Sequence, residues 1–199
     1  ISAIPQDLKF EGEDSLVVIG DNTTIRECVT VNRGTKALGK TVIGKNCLIM
    51  ACAHIAHDCV IGDHCVIVNG CLMAGHVEMG DWAIIGGLCA IQQFSKIGTH
   101  AFVGGGSLVR KDVPPYVKAA KEPISYAGIN SIGLRRRGYE NQKINEIQNI
   151  YRILFQKKYN TTQALDIIET DFEATQERDE IITFIRNSQS GIMKGFRLE

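Results

Sequence analysis

The 199-residue sequence lacks three things: a surplus of charge, a membrane-length apolar run, and a paired-cysteine metal motif. Lysine plus arginine and aspartate plus glutamate each total 22, with a pI near 7.1. That balance removes the global electrostatic case for nucleic acid or an anionic membrane as partner. No apolar stretch approaches the roughly 18 residues that suggest a membrane span. The start, at Ile1, lacks the basic and apolar regions of a signal peptide, and the chain reads as a fragment of a longer one. Seven cysteines are present, but no two have CxxC spacing, so thiolate zinc is not expected. Reduced thiols suit the cytoplasm, the expected location.

What the chain has is a rhythm of six. Ile43, Ile49, Ile55, Ile61, Ile67 and Met73 lie on one grid, which continues through Met79, Ile85, Ile91, Ile97 and Val103 to Val109. Ile19, Ile25 and Val31 extend it upstream. A second lane, four residues later, is small: it includes Cys47, Ala53, Cys59, Cys65, Cys71 and Cys89 and ends at Val113. Neither an α-helix nor an alternating strand has this period. A triangular coil does, with one short strand and a corner per hexapeptide and eighteen residues per turn. Ile43, Ile61, Met79 and Ile97 then stack in one interior column. Ile49, Ile67, Ile85 and Val103 form the second, and Ile55, Met73, Ile91 and Val109 the third. Gly20-Asp21-Asn22, Gly44-Lys45-Asn46 and Gly62-Asp63 suit corners with unusual dihedrals.

Residues 33–40 keep the count but lose the pattern at Ala37, and read as a loop leaving the coil. Val113-Pro114-Pro115-Tyr116 ends the rhythm. The expected organisation is a mainly β coil domain over residues 1–116 and an α-helical domain over 117–199. Helical faces are expected from Ile144, Ile147, Tyr151 and Leu154, then Ala164, Ile167 and Ile168 with Thr161 or Thr162 as cap, then Ile181, Ile182 and Ile185. A coil with flat faces and open ends is naturally covered by homotrimerisation.

Because the interior is filled, chemistry must sit on outward positions. His57 and His76 are nineteen apart, one coil plus one residue, and His54 and Gln93 fall near the same edge. A neutral imidazole there can act as general base, with Asp58 as orienter if a corner brings the adjacent pair together. Solvated or interface histidines are the bland reading. A zinc site built from His54, His57 and His76 is a third. Gly104-Gly105-Gly106 lacks the Lys-Ser/Thr of a phosphate loop, and more simply leaves the surface bare. Arg135, Arg136 and Arg137 could grip phosphate or form a solvated basic run at a helix end.

Several motifs resemble, in order, those of the UDP-N-acetylglucosamine acyltransferases of lipid A biosynthesis. They are Gln6-Asp7-Leu8-Lys9, Cys52-Ala53-His54-Ile55-Ala56-His57-Asp58, Ala74-Gly75-His76-Val77, Gln93-Phe94, Asp112-Val113-Pro114-Pro115-Tyr116 and Gly133-Leu134-Arg135-Arg136-Arg137-Gly138. The resemblance implies a cytoplasmic homotrimer of left-handed parallel β-helices with a helical C-terminal domain. It implies transfer of a 3-hydroxyacyl chain from acyl carrier protein to the glucosamine 3-hydroxyl of UDP-N-acetylglucosamine, without metal or cofactor. By the same resemblance His57 is the base, Asp58 its partner, and the Gly75 amide the oxyanion donor. His54 and His76 position the sugar, and Gln6, Asp7 and Lys9 line the sugar and acyl region. Gln93, Asn130, Arg136 and Arg137 hold the nucleotide end or the phosphopantetheine, and Gly105 leaves the groove open to a long acyl chain. Gln92 and Ile132 depart from the family's histidine and glutamate. Three alternatives remain: an N-acyltransferase on a UDP-amino-sugar, a trimeric zinc hydratase, and a structural or ice-binding coil. The last expects threonine ladders that the sequence does not contain.

Overall fold

The computed structural model describes residues 1–195, and in it the grid folds as three parallel sheets that form the sides of a prism. Each rung is a short strand ending on a grid aliphatic, two residues long in most coils, as in His54–Ile55, Leu72–Met73 and Ala90–Ile91. Strand residues alternate direction, so the aliphatic points inward and the residue before it outward. Residues eighteen apart pair in register: Ile43 with Ile61, Ile61 with Met79, and Met79 with Ile97. The other two columns stack the same way, through Ile49, Ile67, Ile85 and Val103 and through Ile55, Met73, Ile91 and Val109. The architecture is a left-handed parallel β-helix followed by helices.

Every grid residue from Ile43 to Val109 is at most 3% exposed, and the small lane from Cys47 to Val113 at most 4%. All seven cysteines are free, and the five in the small lane are buried. Burial pushes the Cys59 and Cys71 thiols up to about 12, so they pack as small hydrophobes rather than react.

The corner expectation holds at Asn22 and Asn46, which are left-handed, but not at Gly20, Gly44 and Gly62. The third residue after each aliphatic, from Asn46 to Gly106, turns the chain in the left-handed region with φ of 55 to 72°. Most of these residues are not glycine. The glycine directly after the aliphatic answers to crowding instead. A Cβ on Gly62 would lie 2.8 Å from the Asp81 amide on the next coil.

In the first coil the pairing offset is twenty-four rather than eighteen: Thr24 faces Leu48 and Thr30 faces His54. The six extra residues fall in the loop that Ala37 marked.

Pro114 and Pro115 do not end the sheet. Val117–Ala120 pairs in parallel with Phe102–Val103, then turns antiparallel onto Ser125–Ile129. The hexapeptide pattern cannot reveal this hairpin, because the hairpin does not repeat. Among the described residues four helices follow: α1 (Ser131–Arg136), α2 (Asn141–Gln156), α3 (Thr161–Asp171) and α4 (Gln176–Arg186). α2 buries Ile144, Ile147, Tyr151 and Leu154, as its spacing predicts, and Tyr151 donates a 2.6 Å hydrogen bond to the Pro115 carbonyl. α3 is capped by Asn160 in a reciprocal box with Gln163, rather than by Thr161 or Thr162. It buries Leu165 beside Ala164 and Ile168, leaving Ile167 half-buried.

Candidate active site

His54-Ile55-Ala56-His57-Asp58 runs from a strand into a corner, and the corner geometry makes the site. Consecutive residues on an extended strand point to opposite faces. Asp58 escapes that rule because its φ is 58°. Its carboxylate folds back to meet the preceding imidazole, with His57 Nδ1 2.8 Å from Asp58 Oδ2. That bond puts the proton of a neutral ring on Nδ1 and leaves the Nε2 lone pair free. His76 sits at the equivalent corner one coil on, with the same left-handed backbone. Its ring stands edge-on to His57 at 5.2 Å between centroids, and its Nε2 lies 3.8 Å from Asp58 Oδ2. Phe94, one coil further, stacks on His76 at 4.7 Å and is otherwise exposed.

Asp58 is almost wholly enclosed, 1% exposed, and its charge needs partners there. Burial pushes its carboxyl up, but hydrogen bonds from Thr35 and His57 outweigh that and hold it below the ordinary carboxylate range. Thr35 and Leu38 come from the six-residue excursion, and the Asp58 backbone N–H donates to Thr41 Oγ1 at 2.9 Å. Sequence reasoning singled out the loop but not Thr35, because no periodic lane specifies which loop residue turns inward.

His57 is also more enclosed than an outward corner position suggests, at 6% exposed. Its ring lies against Gly75, exactly one coil later in the same corner column. A Cβ on Gly75 would stand 2.6 Å from His57 Cε1 and 2.7 Å from Nε2. The Gly75 amide has no hydrogen-bond acceptor among the described residues. At the corner that follows His57 on its own coil, the Asp63 amide donates to the Asp81 carboxylate at 2.8 Å. A base and an uncommitted N–H donor therefore meet at one point.

The other expected residues disperse. His54 stays on its strand, sharing a 2.7 Å hydrogen bond with Thr30 through Nδ1, and burial lowers its pKa. Gln93 occupies the His57–Gly75 corner column but is exposed, as is Gln92. Gln6 and Lys9 are exposed, and Asp7 caps a turn by accepting from the Lys9 amide at 3.0 Å. That segment is tied to the Thr35 loop: Asn32 donates to the Ile4 carbonyl at 2.9 Å, and the Arg33 guanidinium lies 5.3 Å over the Phe10 ring.

Asn130 and Arg137 belong to the adjacent corner. Asn130 caps α1 at the Gly133 amide and donates to the His100 carbonyl. Arg137 packs 5.1 Å over Trp82 and donates to the Trp82 carbonyl at 3.1 Å. Burial, with Arg137 nearby, pushes the His100 imidazole down to about 4. Arg136 and Ile132 are exposed on α1. Gly105 lies at the third corner, where a Cβ would approach the Gly87 carbonyl to 3.2 Å.

His57, Asp58 and His76 offer ligand atoms within 4.8 Å of one another, so they form the cluster the zinc reading requires, with Asp58 in place of His54. Yet Asp58 Oδ2 is already engaged by His57 Nδ1 and Thr35 Oγ1, and Oδ1 by two amides. The arrangement fits an oriented base better than an open coordination site.

A family model described as UDP-N-acetylglucosamine O-acyltransferase, domain 2, matches residues 112–193, and the bacterial transferase hexapeptide model matches residues 40–75. An acyl-[acyl-carrier-protein]–UDP-N-acetylglucosamine O-acyltransferase of Chlorobaculum parvum is 59% identical over 96% of this chain and 73% of its own length. One from Aquifex aeolicus is 56% identical over 98% of this chain and 75% of its own. The crystal structure of a UDP-N-acetylglucosamine acyltransferase from Bacteroides fragilis superposes with a TM-score of 0.96 at 49% identity, covering 98% of this chain and 76% of that one.

Proposed function

The chain belongs to the acyl-[acyl-carrier-protein]–UDP-N-acetylglucosamine O-acyltransferase family, and on that premise we propose that His57 is its general base and the Gly75 amide its oxyanion donor. The reaction is transfer of a 3-hydroxyacyl chain from acyl carrier protein to the glucosamine 3-hydroxyl of UDP-N-acetylglucosamine, the first step of lipid A biosynthesis. The observation that carries the residue assignment is the meeting of two free groups. The His57 Nε2 end of the ring lies against Gly75, whose buried N–H has no acceptor among the described residues.

In this reading Nε2 takes the proton of the sugar hydroxyl as its oxygen attacks the thioester carbonyl. The Asp58 carboxylate stabilises the imidazolium that forms. The carbonyl oxygen, now negative, accepts from Gly75 N–H. When the intermediate collapses, the C–S bond breaks and the same Nε2 proton goes to the departing thiolate. Base catalysis of this kind is worth about 10²–10⁴ in rate, and one oxyanion donor about 3 kcal/mol. The thioester is already activated, so no metal or cofactor is called for.

The remaining assignments rest on the family motifs. His54 and His76 position the sugar, with Gln6, Asp7 and Lys9 beside them. Gln93, Asn130, Arg136 and Arg137 serve the nucleotide or the phosphopantetheine, and Gly105 keeps the acyl groove open. The split of these residues over three corners of one prism favours a homotrimer, in which the corners of neighbouring copies complete each site. Among the described residues no helix is long and apolar enough to cross a membrane. A cytoplasmic location completes the proposal; the division expected at residue 116 is not kept, because Val117–Ala120 continues the coil's sheet and the helices begin at Ser131.

His57→Ala, assayed with UDP-N-acetylglucosamine and a long-chain hydroxyacyl carrier protein, is expected to lose at least about 10²-fold in turnover. Near-normal turnover would remove His57 as base. Transfer to nitrogen of a UDP-amino-sugar, or stoichiometric zinc in the purified protein, would favour the competing enzymes instead.

A further inference from the structure

We propose that Thr35, on the six-residue excursion of the first coil, is a positioning residue for the acyl-transfer base, acting through Asp58. Its hydroxyl donates to Asp58 Oδ2 at 2.7 Å while accepting from the Ala37 amide at 3.2 Å. A hydroxyl has one proton, and the Ala37 contact, which uses a lone pair, leaves that proton for Asp58. The Thr35 backbone N–H donates to Asp58 Oδ1 at 3.0 Å, joined there by Leu38 N–H at 3.3 Å. Thr35 therefore grips both oxygens of one carboxylate from a segment 23 residues away in sequence. Thr35 and Asp58 are 4% and 1% exposed, so water does not replace these donors.

The geometric consequence falls on His57. Asp58 Oδ2 accepts from both Thr35 Oγ1 and His57 Nδ1, so the hydroxyl sets where that oxygen stands, and the oxygen sets how the ring is turned. With every donor aimed at the carboxylate, it is an acceptor only, and the ring proton stays on Nδ1. Loss of the hydroxyl leaves an enclosed Oδ2 lone pair without a donor, so that the amides at Oδ1 and the His57 ring are left to set the carboxylate's position. Thr35 reaches His57 only through hydrogen bonds to Asp58, so its effect falls on turnover rather than on sugar binding.

This inference rests on His57 being the base, and the test separates the two ideas. Thr35→Val replaces the hydroxyl with a methyl group of similar size, and Thr35→Ala avoids even that methyl if the valine variant does not fold. Thr35→Ser restores the hydroxyl, and His57→Ala is measured alongside. The expected result is a fall in kcat of about ten- to a hundredfold, with KM for UDP-N-acetylglucosamine within about threefold of wild type, and recovery in the serine variant. If the valine or alanine variant keeps kcat within about twofold, or if serine recovers no more than valine or alanine does, Thr35 has no positioning role. If His57→Ala itself keeps its turnover, the fault lies with the assignment of the base.

Discussion

Gly75→Ala isolates the fit between the base and the coil above it. The substitution adds one methyl group and keeps the backbone N–H, so the oxyanion donor survives. Gly75 is outside the left-handed positions, so alanine brings no dihedral strain. The added Cβ would lie 2.6 Å from His57 Cε1, 2.7 Å from Nε2 and 3.2 Å from Nδ1, where ordinary contact begins at 3.4 Å. The ring must therefore retreat by roughly 1 Å, a misplacement that costs about 10²-fold in rate. It cannot do so and keep its 2.8 Å bond to an Asp58 that is itself fixed by Thr35 and Leu38. Overpacking of this size costs about 1–3 kcal/mol of stability, small enough for a long coil to remain folded. Steady-state turnover, with thermal melting of the same preparation, reads both effects. Turnover within threefold of wild type, in a folded variant, would refute the placement of His57 against Gly75.

Three further outcomes are expected. Asp58→Asn presents an amide donor toward His57 Nδ1, favours the wrong tautomer, and is expected to lower kcat by up to about 10⁴-fold. Because the folded Asp58 carboxyl lies below its ordinary 3.8, its contribution to stability is full above that pH and fades as pH falls through the folded value. The gap in melting temperature between wild type and Asp58→Asn should then be widest near neutrality and close below about pH 4; a gap that is constant with pH would contradict an ionised, hydrogen-bonded Asp58. For acyl length, carrier-bound donors of graded size should show a preference for long chains, since Gly105 leaves its corner bare; preference for the shortest donor would overturn that assignment.

The hexapeptide grid was legible because each coil repeats one physical requirement: an aliphatic inward, a small residue four later. Ile43 to Val109 obey it without a gap, and five cysteines fall into place as small core residues. The site was legible in part. His57 and His76 stood out as polar residues left over from the grid, and their spacing of nineteen put them on neighbouring coils. Thr35 did not stand out, because a loop that leaves the coil has no register to read. The hairpin at residues 117–129 escaped for the same reason. Gly62 looked like a dihedral requirement and proved to be a crowding one, a distinction that depends on the coil packed against it.

Sequence alone determined the triangular coil, its three interior columns and the helical end, since these follow from periods of six and 3.6. The ordered motifs, laid over that frame, determined the chemistry to expect. Tertiary structure decided which side chains meet. The left-handed turn at Asp58 lets adjacent residues face each other. The bare Gly75 lets an imidazole lie on the next coil. A six-residue excursion returns Thr35 to a carboxylate 23 positions away. The last two of these contacts join distant parts of the chain through the stacking of coils, and no local pattern of residues encodes them.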